Sequence, residues 1–101
     1  MAYKVILAPR AIRDLEQIVR YVASDNDRAA AKLGYALIEK TKILGNFPEL
    51  GRKVPEFDDD AIRELILGEY RIIHRVKHLS KMVEVSRFWH AARGTPLLED
   101  A

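Results

Sequence analysis

Apolar and polar positions alternate along two runs in the last third of the chain, residues 70–77 and 82–89. In the first run one face carries Tyr70, Ile72, His74 and Val76, and the other carries Arg71, Ile73, Arg75 and Lys77. The second run places Val83, Val85, Arg87 and Trp89 opposite Met82, Glu84, Ser86, Phe88 and His90. Because only residues 78–81 separate the runs, this alternation predicts a β-hairpin.

A different period appears near the N-terminus. Residues 3–8 form a short β-branched run that Pro9 ends, which predicts a first strand. From residue 9 to 24 apolar residues recur at helical spacing, which predicts a helix whose buried stripe is Ile12, Leu15, Val19 and Val22. The polar residues Arg13, Asp14, Gln17 and Arg20 lie off that stripe.

A second helix is predicted over residues 28–45, after the turn-forming residues 24–27. Its buried side is expected to be Ala30, Leu33, Leu37 and Leu44, and Gly45 with Asn46 forms a typical C-cap. So short a connection favours an antiparallel helical hairpin. Since neither helix is apolar all round, the pair must pack on a sheet.

Residues 46–60 contain two prolines and Gly51 and predict a loop, which Phe47, Leu50, Val54 and Phe57 are expected to pin to the body of the protein. Residues 62–67 alternate and predict a strand. The fold class is therefore α+β with the order β-α-α-β-β-β. We expect one domain, 1–101, with an antiparallel sheet of about four strands against an N-terminal helical hairpin and a loose tail over 94–101.

Composition narrows the class of protein. The 101 residues are 49% hydrophobic and 32% charged, as in a globular protein, and contain no cysteine, which excludes disulfides and thiolate metal sites. No apolar run reaches the roughly 18 residues of a membrane span. We expect a soluble, cytoplasmic protein with no membrane association.

Charge is unevenly distributed although the net charge is only +2. Residues 1–60 hold ten basic and ten acidic side chains, whereas residues 61–101 hold seven and five. From Arg71 to Arg93 six basic residues accompany one acid, Glu84, and all three histidines lie in the last third of the chain. A local positive field of this kind can bind an acidic partner.

Three segments resemble the RelE/ParE superfamily of toxins from bacterial toxin–antitoxin pairs: FPELGR at 47–52, REL with YRIIHRV across 63–76, and VEVSRFWHAAR at 83–93. With the element order, the resemblance covers nearly the whole chain. It implies a toxin that inhibits growth, as in plasmid stabilisation, and a cognate antitoxin that neutralises it, with a toxin–antitoxin heterotetramer as one candidate assembly. RelE-like members cut mRNA on the ribosome, and ParE-like members poison DNA gyrase.

The RNase function needs a base, an acid and cations around the phosphate. The resemblance assigns Arg71, Arg87 and His90 to catalysis in that case, with Arg52 and Lys53 as phosphate-binding residues of the loop. RelE-type RNases carry several lysines in this loop and a tyrosine near the C-terminus. This sequence has only Lys53 there and no tyrosine after Tyr70, so the set is incomplete.

A gyrase inhibitor needs a binding surface, for which Arg52, Lys53, Arg75 and Arg93 are the candidates. The balanced helical hairpin, the PELGR loop and the WHAAR ending are closer to ParE members, so we expect the gyrase function first and the RNase second. A decayed toxin that retains only antitoxin binding is a third alternative. Neither a cofactor nor a metal site is expected, because the three histidines lack regular ligand spacing.

Each candidate also has a structural interpretation. Arg71 would pair with Glu69, Glu84 or an acid of residues 58–60, and Arg87 would form an internal ion pair. Trp89 would pack in the core, and His90 beside it would be a packing residue. His74 would be a half-buried, hydrogen-bonded histidine, and His78 would be solvated in its turn.

Overall fold

The computed structural model describes residues 2–98. Two helices follow the first strand, and four strands follow the helices. The elements are β1 (Lys4–Leu7), α1 (Pro9–Ala23), α2 (Asp27–Thr41), a 3₁₀ turn (Lys42–Gly45), β2 (Arg52–Lys53), β3 (Ile62–Leu67), β4 (Tyr70–Lys77), β5 (Met82–His90) and a final 3₁₀ turn (Ala91–Arg93). The predicted α+β class, the helical hairpin and the order of the longer elements are confirmed.

The sheet has five strands in the order β1-β5-β4-β3-β2. Strands β2 to β5 pair antiparallel with their neighbours, as in the predicted antiparallel sheet, but β1 pairs parallel with β5. The fifth strand, β2, lies within residues 46–60, for which the two prolines and Gly51 predict a loop, and it contains only two residues, both exposed and charged. The sheet is therefore mostly antiparallel, with one more strand than expected.

The helical hairpin covers one face of the sheet. Ala11, Leu37 and Leu44 are fully buried there against Ile72 and Phe88. The buried side of α2 is as predicted. That of α1 is rotated, since Ile12 is 43% exposed while Ala11 is buried, and Leu15 and Ile18 pack on the core.

The opposite face of the sheet carries a smaller core of Val54, Ile62 and Ile73, with Phe57 and Leu98 packed against it. Pro96 is also buried, so the chain up to residue 98 lies on the body of the protein, unlike the loose tail expected from 94 onward. The remainder of that tail, 99–101, lies outside the described residues.

The expectation for the 46–60 loop was half right. Val54 and Phe57 belong to the second core, but Phe47 is 58% exposed and Leu50 is 40% exposed.

Within the described residues, neither helix combines the length and apolarity required to cross a bilayer.

Candidate functional site

Arg71 on β4 lies in a buried network of carboxylates. Its Nε donates to Glu64 Oε1 at 2.6 Å, and its two Nη atoms donate to the Glu56 carboxylate at 2.7 and 2.9 Å. Arg52 donates to the other oxygen of Glu64 at 2.6 Å. These partners replace the ones expected from the sequence, because β3 is the neighbour of β4 and its Glu64 points to the same face as Arg71.

The charges in this network stabilise one another. Hydrogen bonding from Arg71 lowers the pKa of Glu56, and the paired carboxylates raise the pKa of Arg71 further above its ordinary value. The side chain of Arg71 is 8% exposed and that of Glu64 is fully buried. Arg71 therefore fastens the loop before β3 to the sheet as a permanent cation.

Arg87 on β5 is fixed by α1. Its Nε and Nη2 donate to the two oxygens of Asp14 at 2.7 and 2.9 Å, and its Nη1 donates to the Leu97 carbonyl at 2.7 Å. The Phe88 backbone N–H also donates to Asp14 Oδ2 at 3.1 Å. Asp14, placed on the polar side of its helix by the sequence, is instead a buried link between α1, β5 and the C-terminal segment.

Both arginines therefore have every side-chain nitrogen engaged. A phosphate that took either guanidinium away from Glu64 or Asp14 would leave a buried carboxylate without its cation, which costs several kcal/mol. Arg87 therefore forms the internal ion pair that its structural interpretation predicted. Arg71 is also held in ion pairs with acids.

Of the three predicted catalytic residues, His90 is the most exposed to solvent. Its side chain is 34% exposed, Nε2 lies 3.1 Å from Glu69 Oε1, and Nδ1 accepts from the Ala92 N–H at 3.2 Å. The ring packs edge-on against Tyr70, with the ring centroids 5.1 Å apart. Burial raises the pKa of the Tyr70 hydroxyl.

His90 lines a cleft of about 620 Å³ between α1 and the ends of β4 and β5. Aromatic, acidic and basic side chains share its walls, and neither Arg71 nor Arg87 does. The lining residues are Asp14, Gln17, Ile18, Tyr21, Glu69, Tyr70, Phe88, His90 and Arg93. The structure thus brings His90 and Arg93 together and separates them from the two predicted catalytic arginines.

Three of the four predicted binding residues are paired with acids. Arg52 binds Glu64, Lys53 lies 2.7 Å from Asp60, and Arg75 lies 3.2 Å from Asp59. A bound anion would have to compete with each of these acids for its basic partner.

Arg93 differs from those three, because its guanidinium stacks 4.2 Å from the ring centroid of Trp89. Arg87 stacks on the same ring at 4.7 Å, and Trp89 Nε1 donates to the Gly94 carbonyl. Trp89 is 8% exposed, which confirms its predicted core position. Within residues 2–98 no carboxylate forms an ion pair with Arg93, so its N–H groups remain available at the edge of the cleft.

The other two histidines differ from expectation. His74 is completely buried, and neither ring nitrogen has a hydrogen-bond partner among the described residues, so burial lowers its pKa to about 4. His78 is half exposed and bridges two segments, with Nδ1 2.6 Å from the Tyr3 hydroxyl and Nε2 2.8 Å from Glu49.

The sequence analysis missed the carboxylates that occupy the arginines. Glu64 stands in an otherwise apolar strand, IRELIL, and an acid in that setting is a signal for a buried cationic partner. Asp14 and Glu56 gave no such signal, because Asp14 lies off the predicted apolar stripe of its helix and Glu56 lies in a predicted loop. Within the described chain no group of three or more histidine and carboxylate side chains is arranged to hold a metal ion.

The chain is similar to known proteins in both its sequence and its fold. Residues 5–94 match the family model described as the ParE toxin of the type II toxin–antitoxin system, parDE. Toxin RelE1 of Caulobacter vibrioides is 30% identical over 92 residues, which cover 89% of this chain and 95% of the relative.

Two solved structures illustrate the shared fold. The chromosomal ParDE system of P. aeruginosa has a chain that matches with a TM-score of 0.72 at 23% identity, covering 88% of this chain and 96% of that one. A chain of the RelBE2 toxin–antitoxin complex of Mycobacterium tuberculosis matches with a TM-score of 0.63 at 22% identity, covering 89% and 99%. At these identities the likeness shows the fold alone.

The family match extends over most of the chain, from within β1 to the residue after the final 3₁₀ turn. It includes both helices, the arginine–carboxylate pairs and the cleft. The chain belongs to the ParE family of type II toxin–antitoxin toxins, within the RelE/ParE superfamily.

Proposed function

We propose that this protein is a ParE-like toxin that stops growth by poisoning DNA gyrase in the cytoplasm and is neutralised by a cognate antitoxin. One observation carries the choice of target. The two arginines that an RNase would direct at the scissile phosphate, Arg71 and Arg87, are buried, and each of their side-chain nitrogens donates to a carboxylate or a carbonyl.

RNA cleavage without a metal requires cations that face the phosphate as charge develops on it. Among the residues that the structure describes, Arg93 is the one further cation that lines the cleft of His90, and the Glu69 carboxylate lies 3.1 Å from the imidazole. A gyrase inhibitor needs no such constellation, since a surface complementary to the enzyme or its DNA is sufficient.

An antitoxin partner is supported by an apolar groove of about 660 Å³ between α1 and α2. Leu15, Val19, Ala30 and Gly34 lie along it, and Tyr35 at its edge is 76% exposed. Exposed apolar surface of this kind marks protein interaction sites. The two solved relatives described above come from toxin–antitoxin systems, which supports the same proposal.

The test uses purified gyrase with supercoiled and relaxed plasmid DNA. We expect this protein to increase the amount of DNA cleaved and covalently held by gyrase. Premixing the protein with the product of the antitoxin gene should abolish this increase. A parallel assay with translating ribosomes should show no new mRNA ends.

His90→Ala is the variant that separates the two targets. If the target is gyrase, this variant should keep most of its effect on gyrase. The half-exposed imidazole would then be one group of a surface and would have no catalytic role. An RNase that uses His90 as base or acid would lose on the order of 10²-fold or more in cleavage rate. New mRNA ends that disappear in His90→Ala, with gyrase unaffected by a large excess of the folded protein, would replace the gyrase proposal with the ribosomal one.

A further inference from the structure

One face of α1 is a row of arginines that the proposed function has not used. Arg10, Arg13 and Arg20 follow one another at spacings of three and seven residues, with Gln17 between the last two. At 100° per residue these positions fall on one side of the helix, opposite Leu15 and Val19. We call Arg10, Arg13, Gln17 and Arg20 the cationic ridge.

The ridge is accessible and lacks internal partners. Arg13, Gln17 and Arg20 are exposed and Arg10 is half-buried. Within residues 2–98 none of its three arginines forms an ion pair, in contrast to Arg52, Lys53, Arg71, Arg75 and Arg87. Two acids lie near the ridge on α1: Asp14 is bound by Arg87, and Glu16 is exposed but forms no ion pair with the ridge arginines within residues 2–98.

Three arginines without an ion pair among the described residues therefore lie on one side of α1, although the whole chain carries only +2. In the sheet and the loop before it, by contrast, most of the basic side chains are paired with acids. A field of this sort attracts a polyanion from a distance and remains sensitive to salt.

The geometry of the ridge fits a nucleic-acid backbone. Arg10 to Arg20 spans about 15 Å along the helix axis, at 1.5 Å per residue. One strand of duplex DNA presents a phosphate every 3.4 Å of axis, so about four phosphates lie within that length. Arginine binds phosphate through two parallel N–H groups, and the Gln17 amide between the arginines adds a neutral donor.

A peptide is a poorer fit to the ridge. Protein interfaces obtain most of their affinity from apolar or aromatic side chains buried in pockets. The ridge has no apolar side chain, and the nearby apolar groove between α1 and α2 is a separate surface on which a protein segment would have such pockets.

We infer that the cationic ridge of α1 binds the phosphate backbone of duplex DNA. This inference rests on the proposed gyrase function for its biological role: the ridge would hold the toxin on the DNA that gyrase has bound and cleaved. DNA contact by the ridge itself can be measured without gyrase.

The experiment measures the binding of a short fluorescein-labelled DNA duplex to the full-length protein by fluorescence anisotropy, over a range of salt concentrations. The test variant is Arg10→Gln/Arg13→Gln/Arg20→Gln. The matched control is Arg28→Gln/Lys32→Gln/Lys40→Gln, which removes the same charge from exposed positions of α2. Glutamine is a good helix former, so far-UV circular dichroism should show both variants folded.

We expect the protein to bind the duplex at low salt, with log K falling linearly against log salt concentration. Each phosphate contact contributes about 1 to that slope, so the ridge variant should bind with a slope shallower by about 3. The control variant should keep the slope within about 1 of the unmodified protein.

Three outcomes would overturn the inference. The ridge variant could bind DNA as the unmodified protein does, or both variants could lose slope equally, which would reduce the effect to net charge. The third is a ridge variant that keeps DNA binding and loses binding to the antitoxin, which would make the ridge a protein interface. Ridge-dependent DNA binding by a protein that does not affect gyrase would leave the inference standing and end the proposed function instead.

Discussion

Arg71 joins three consecutive segments of the chain: β4, β3 and the loop before β3. It connects β4 to Glu64 of β3 and to Glu56 of the preceding loop through three short hydrogen bonds. A buried carboxylate such as Glu64, whose side chain is fully inaccessible, is tolerated only while its cations remain in place. Arg52 alone is a weak substitute because its side chain is 62% exposed.

Arg71→Ala should therefore lower the free energy of unfolding by about 3–5 kcal/mol, the usual cost of leaving a buried charge without its partner. Urea unfolding followed by the fluorescence of Trp89 measures this loss. The matched control is Arg75→Ala on the same strand, whose surface pair with Asp59 should contribute less than about 1 kcal/mol. A stable Arg71→Ala protein that has lost toxicity would instead identify Arg71 as a functional residue.

His74 makes the stability of the protein depend on pH. Burial holds its pKa at about 4 in the folded state, whereas the unfolded chain has the ordinary value of 6.5. Between these values the unfolded state binds a proton that the folded state does not, so stability falls as the pH is lowered through this range. The full effect is on the order of 3 kcal/mol, at 1.36 kcal/mol per pKa unit.

His74→Leu should remove most of that dependence. Unfolding free energies measured at several pH values between about 6.5 and 4 should decline for the unmodified protein and stay nearly level for the variant. His78→Gln, at a half-exposed position, should keep the decline. Glu56 also makes stability depend on pH, but at lower pH values than His74. Because its pKa is lowered in the folded state, it contributes stability that is lost as the pH falls below the ordinary value of 4.5. Equal declines with and without His74 would show that another group is responsible.

At the scale of elements, the segment between the helices and β3 depends on one glycine. Gly51 has a φ of +101°, a conformation that residues with a Cβ rarely adopt. A Cβ at this position would collide with the Glu64 carbonyl oxygen and lie 3.2 Å from Leu65. The chain thus passes over β3 with no room for a side chain before β2 begins.

Gly51→Ala should destabilise the protein by more than the conformational cost alone, because β2 and the loop that carries Glu56 must move. Gly68→Ala supplies that reference: Gly68 also has a positive φ, +58°, but nothing lies within 4 Å of its added Cβ. We expect about 1–2 kcal/mol for Gly68→Ala and a clearly larger loss for Gly51→Ala, measured by thermal unfolding. Similar losses in both variants would mean that the loop adapts to the extra atom.

The longer elements were predictable because their periodicity is local. Strands β3, β4 and β5 alternate, and α2 shows its buried side as a regular repeat, so the bounds and faces came out close to the structure. The face of α1 was misjudged because its polar side includes Asp14, which is buried by a partner 73 residues away. Strand β2 was missed because two charged residues carry no periodic signal.

For the whole molecule, long-range pairing decides what the candidate site contains. The sequence brought forward Arg71, Arg87 and His90 together, on the basis of the family resemblance and the chemistry of each side chain. The carboxylates that occupy the two arginines come from α1, β3 and the loop before it, and no local pattern fixes those contacts. Arg93 and His90 were placed in one region correctly, because they are close in the chain.

The pairing of β1 with β5 joins the first strand of the chain to the last one. During synthesis, therefore, β1 has to wait for its neighbour until β5 (Met82–His90) has been made. A polypeptide that terminates anywhere before residue 82 lacks the strand between β1 and β4, and so cannot complete the sheet. The folded toxin can thus form only after β5 has been synthesised, and a stop codon before residue 82 would prevent it from forming.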